Sequence, residues 1–121
     1  MTRINVGVHP SELPSKLLLA EHREIKRIPN VIKSGRFRLD NLPDQFTLGT
    51  GHVRFFYNKL AYLMERYTQI HAECVKRNFN VQCYLDCWLD VPTDLKGYYR
   101  PTDKDRRMIV ERIESKGFQL L

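Results

Sequence analysis

Phe56, Leu60, Leu63, Tyr67, Ile70 and Cys74 recur at alternating steps of four and three residues. Apolar side chains spaced this way fall on one face of an α-helix, so a stripe this long commits the chain to an amphipathic helix buried along one side. Gly49-Thr50-Gly51 opens the segment. Lys76 and Arg77 close it where cations suit the negative end of the helix dipole, and Asn78 is a suitable terminator.

Two further helices are expected around this one. Ser11-Glu12-Leu13-Pro14-Ser15 reads as a helix start, with Ser11 or Ser15 as cap and Pro14 in the first turn. The helix that follows is expected to run to about Arg27 and to stop before Pro29. Leu13, Leu17, Ala20, Glu24 and Arg27 follow its step, so Glu24 shares a stripe with small and apolar residues. Near the C-terminus, Thr102 with Asp105 makes a capping box, and Ile109, Arg112, Ile113 and Lys116 combine an apolar stripe with a basic flank that Gly117 ends.

The remainder reads as loop. Between Ile28 and Thr47, Pro29, Gly35, Asp40-Asn41 and Pro43 interrupt any period, while Lys33, Arg36 and Arg38 keep the segment basic. From Asn80 to Tyr99 runs a long connection with an apolar patch at Leu85–Val91, where Trp88 is expected in the core. These elements predict an all-α chain, one compact domain over 1–121 with three principal helices and long loops.

Charge narrows the class of partner. The chain carries a formal +6, and through Arg38 eight Lys and Arg residues face only Glu12, Glu21 and Glu24. A basic front end suits a polyanion, of which nucleic acid is the commonest. Cys74, Cys83 and Cys87 are an odd number without an export signal ahead of them, which fits free thiols in a reducing, cytoplasmic setting. Cys83 and Cys87 lack a second ligand pair, and His52 and His71 lack carboxylate or cysteine partners at metal spacing. No metal site and no membrane span are expected.

The N-terminus carries the most suggestive chemistry. Thr2 is small enough that Met1 is a target for removal, which would leave a threonine amine. An α-amine has a pKa of roughly 7.7–8.0 against about 10.4 for lysine, so it is far richer in its nucleophilic form near neutral pH. Beside a carboxylate and arginines it is a credible nucleophile for a sugar aldehyde or anomeric carbon.

Met1-Thr2-Arg3-Ile4-Asn5, Ala20-Glu21-His22-Arg23-Glu24 with Arg27, Leu48-Gly49-Thr50-Gly51-His52-Val53, Phe55-Phe56-Tyr57-Asn58-Lys59-Leu60, Ala72-Glu73-Cys74-Val75-Lys76-Arg77 and Phe79-Asn80 occur in that order. Together they resemble the phage-type endonuclease V family, pyrimidine-dimer DNA glycosylases with abasic-site lyase activity. The resemblance is collinear through about Val81. It implies that the Thr2 α-amine is the nucleophile and Glu24 the catalytic carboxylate. Arg3, Arg23 and Arg27 would grip phosphates.

His22 and Lys26 stand where the family commonly has tyrosine and proline; both keep polar capacity and are expected among the DNA-contacting residues. The family's aromatic, basic tail of the type Trp-Tyr-Lys-Tyr-Tyr-Gly has no counterpart in Gly117-Phe118-Gln119-Leu120-Leu121. In the family that tail contributes to dimer recognition, so the resemblance implies lyase chemistry at abasic sites independently of it.

The resemblance further implies a monomer acting on damaged double-stranded DNA without a cofactor, in the host-cell cytosol if phage-encoded. Such an enzyme must bend DNA and extrude a nucleotide, which costs least at damaged sites. Two other functions fit the same residues: the same chemistry on another modified base, or a non-catalytic DNA-binding protein on this scaffold. Binding alone has no need of a carboxylate amid arginines, where it repels phosphate.

Overall fold

A computed structural model describes residues 2–121; Met1, and with it the expected loss of that residue, lies outside the described residues. The helices are α1 (Ser15–Glu24), α2 (Arg27–Ser34), α3 (His52–Phe55), α4 (Leu60–Lys76) and α5 (Asp103–Ser115). Short 3-10 turns occupy Pro10–Glu12, Leu85–Trp88 and Thr93–Leu95. Among the described residues there is no strand, and no helix is long and apolar enough to cross a membrane. The protein is all-α.

α4 is the central helix, packed on α1 and on the turns at Pro10–Glu12 and Leu85–Trp88. Its stripe is buried from Leu60 to Cys74, as the spacing predicts. Asn78 ends it at φ 61: its N–H donates to the Val75 carbonyl and the Phe79 N–H to the Cys74 carbonyl, the paired bonds of a left-handed C-cap.

The expected helix does not run unbroken from Gly51. It stops after Phe55 and restarts at Leu60. A segment far along the chain packs into the break: Gly97 passes so close that a Cβ there would sit 2.3 Å from the Asn58 carbonyl oxygen. Its own carbonyl accepts the Tyr62 N–H at 3.0 Å, replacing a partner that the first turn of α4 lacks. Lys59 covers the break, donating to the carbonyl of Phe55 at 3.0 Å.

α2 is a second departure. The first helix ends at Glu24, and a new one begins at Arg27 with Pro29 inside its first turn. There a missing N–H leaves no intrahelical bond unmade, so Pro29 fits without breaking the helix. Ile28, Pro29 and Ile32 are buried and line the side of α2 that meets the Leu85–Trp88 turn. Trp88 is buried as expected, with its ring 5.2 Å from that of Tyr67.

The N-terminal segment threads the interior. Ile4, Val6 and Val8 are fully buried. Its polar groups are tied to four helices: Ile4 to His52 of α3, Asn5 to Glu21 of α1, the Val8 carbonyl to Arg66 of α4, and the Gly7 carbonyl to Arg106 of α5. The Thr102–Asp105 capping box that starts α5 is present, with Asp105 N–H to Thr102 Oγ1 at 3.1 Å.

Candidate active site

Glu21 anchors the site without lining it as a free charge. Its carboxylate, 1 % exposed, accepts from Asn5 N–H, Asn5 Nδ2, Arg66 Nε and Arg66 Nη2. The Arg66 contacts are 2.5 and 3.0 Å. Glu21 holds the Arg66 guanidinium strongly protonated against the penalty of burial. Four donors on one buried carboxylate fix Asn5, and so the chain on either side of it.

His52 sets the register one residue earlier. Its Nε2 accepts the Ile4 N–H at 3.0 Å, and its Nδ1 donates to the Thr47 carbonyl at 2.9 Å. Those partners require the neutral ring with its proton on Nδ1. Burial favours that state and lowers the His52 pKa, although the Thr47 carbonyl pulls the other way.

With Ile4 and Asn5 held, Arg3 and Thr2 reach the C-terminal end of α1. The Arg3 N–H donates to Glu24 Oε1 at 3.3 Å. Thr2, one peptide unit away, is only 9 % exposed. Arg23 Nη2 lies 3.6 Å from Glu24 Oε2, on a side chain that is largely exposed. Arg27 is exposed at the start of α2 and makes no ion pair with Glu24 among the described residues.

The remaining expected contacts lie on another face. His22 was expected to touch DNA but is 3 % exposed, because its position on α1 turns it toward α4. Its Nε2 meets Tyr67 Oη at 3.0 Å and His71 Nδ1 at 3.1 Å. Burial, reinforced by the charges of His71 and Lys26, pushes its pKa down to about 4. Lys26 follows it, with Nζ 3.6 Å from the Tyr84 ring centroid.

Beside Glu24 opens a cavity of about 380 Å³ lined by residues of the N-terminal segment, α1 and α5. Arg3, Lys16, Arg112 and Lys116 make it cationic; Leu17, Ala20, Ile113 and Phe118 make one side apolar. Since Arg66 neutralises Glu21, Glu24 is the carboxylate left facing these cations. Arg112 donates to Asn5 Oδ1 at 3.2 Å, and burial followed by the nearby Arg3 charge lowers its pKa. An anion in the cavity would relieve both penalties.

Lys16, Arg112, Lys116 and Phe118 were not assigned to the site from sequence. Arg112 in the last turn of α5 and Lys116 at its C-cap, four residues on, were the available signal. No three His, Cys, Asp or Glu side chains among the described residues converge on a metal geometry.

A helical fold in which Glu24 faces a cationic cavity beside a pinned N-terminal segment suits an anionic substrate. Residues 1–86 match the family of pyrimidine dimer DNA glycosylases, and the chain belongs to that family. It is a DNA repair glycosylase, and its substrate is DNA. Arg112, Lys116 and Phe118 lie beyond the matched residues.

Proposed function

We propose that the chain, acting as one domain and as a monomer, excises pyrimidine dimers from duplex DNA and then cleaves the strand at the resulting abasic sugar. With Met1 removed, the Thr2 amine attacks C1′ of the damaged nucleotide. The glycosidic bond breaks, the base leaves with its electron pair, and loss of a proton from nitrogen with ring opening yields a Schiff base. Glu24 protonates the sugar ring oxygen, stabilises the cationic imine and assists removal of the 2′ proton. The electrons of that C–H bond form the new double bond, and the 3′ phosphate departs. The imine serves as the electron sink, so no metal or organic cofactor is needed.

The observation that carries this reading is the 3.3 Å contact between Glu24 Oε1 and the Arg3 N–H, one peptide unit from the proposed nucleophile, beside a cationic cavity. Arg3, Arg112, Lys16 and Lys116 are the phosphate ligands, with Arg23 and Arg27 on the exposed approach. Lys26 stays at the edge of the contact surface, and His22 acts from within by holding α1 against α4.

Glu24→Gln tests the reading. It is expected to slow base release by roughly a hundredfold or more, the scale of a lost general acid–base group. DNA affinity should hold or rise, because a negative charge leaves a phosphate site. Unchanged excision by Glu24→Gln would remove Glu24 from the mechanism.

A further inference from the structure

A groove of about 380 Å³ opens between the start of α4 and the segment from Leu85 to Tyr98. It shares no lining residue with the cavity beside Glu24. Met64 of α4 and Leu85, Leu89 and Tyr98 of the facing segment all line it and are all exposed, Leu89 at 61 % and Tyr98 at 76 %. Large apolar side chains exposed singly are ordinary. Four gathered around one groove mark an interaction surface.

The rim of this groove has the opposite sign from the molecule as a whole. Between Arg77 and Lys96 the sequence holds three aspartates and neither lysine nor arginine, in a chain of formal charge +6. Two of them, Asp86 and Asp90, line the groove, with Lys96 as the one cation beside them.

That sign decides between occupants. A DNA backbone or an anionic membrane is repelled by Asp86 and Asp90. A second copy docked groove to groove would set one net-negative rim against another. A basic segment is attracted to this rim and repelled by a chain that is cationic elsewhere, which gives it both a place and a register. A cleft with a helix along one wall and apolar side chains along the other suits an amphipathic helix. We infer that the groove docks a basic amphipathic helix of a partner protein: its apolar residues fill the cleft between α4 and the Leu85–Tyr98 segment, and its lysines or arginines meet Asp86 and Asp90. Such a partner can hold the enzyme while the cationic cavity holds DNA. Trp88, Leu89, Asp90, Lys96 and Tyr98 all lie beyond the family-matched residues, so the surface belongs largely to the part of the chain outside that match.

Trp88 is the only tryptophan and lines the groove, so its fluorescence reports occupation locally in the intact protein. The probes are two tryptophan-free helical peptides with the same leucine stripe, one flanked by lysines and the other by glutamates. The lysine peptide is expected to change Trp88 emission saturably, and the glutamate peptide to bind at least about tenfold more weakly. The double variant Met64→Gln with Leu89→Gln should weaken the lysine peptide by about tenfold or more, the scale of lost apolar anchors. Both side chains are exposed, so its melting temperature and DNA affinity should be unchanged. Asp86→Lys with Asp90→Lys should reverse the preference between the peptides. No response to either peptide, equal affinity for both, or undiminished affinity in the glutamine variant overturns the inference. So does a concentration-dependent dimer in sedimentation that the glutamine variant abolishes, because a second copy is then the occupant.

Discussion

Burial keeps His52 neutral, and its two ring nitrogens need that state to join the Ile4 N–H to the Thr47 carbonyl. His22 is under the same pressure on the other side of α1, with its pKa near 4 against an ordinary 6.5. Below the ordinary value the unfolded chain takes up protons that the folded chain refuses. Stability from these histidines is therefore complete above about pH 6.5 and is lost as pH falls; for His22 the loss extends to about pH 4 and reaches about 3 kcal/mol. Urea unfolding across that range should show the decline. In His22→Tyr, which keeps a ring and a polar tip but does not titrate there, the slope should become shallower; an unchanged slope would show that His22 is not its source.

Beside the apolar core, buried polar groups tie the elements to one another. Glu21 of α1 and Arg66 of α4 are 1 % and 5 % exposed, and Arg66 also donates to the Val8 carbonyl at 2.9 Å. Arg66→Ala would strand the Glu21 charge, and a loss of about 3–5 kcal/mol in urea unfolding is expected. A loss below about 1 kcal/mol, as for an exposed pair, would contradict this role.

The helices most legible in the sequence were those whose signals are local: the α4 stripe with its Asn78 cap, and α5 between its capping box and Gly117. The break before Leu60 was not legible, because the contacts that accommodate it come from Gly97 in a distant loop. α2 was hidden because Pro29 ends most helices, yet costs little in a first turn. In the site, the nearness of Glu24 to the N-terminal segment was legible through family resemblance. The Asn5–Glu21–Arg66 network was not, since it depends on contacts made only once the chain has folded.

The whole molecule is organised around its own N-terminus. Ile4, Val6 and Val8 lie at the centre of the core, and α1, α3, α4 and α5 each bond the segment that contains them. Placement of the proposed nucleophile is therefore a property of the complete fold. The cavity is likewise composite: Arg3, Glu24 and Lys16 come from the family-matched region, whereas the end of α5 and its cap bring Arg112 and Lys116 from beyond it. With a formal charge of +6 behind them, these cations suit a DNA backbone.

The central claim is that the amine of Thr2 becomes covalently bound to the sugar. Borohydride reduction during reaction with abasic DNA, followed by mass spectrometry of the digested adduct, locates the bond directly. The account predicts one modified peptide, beginning at Thr2 and carrying the sugar on its α-nitrogen, and no adduct once that amine is blocked. A sugar on a lysine side chain, Lys16 foremost among them, would contradict it.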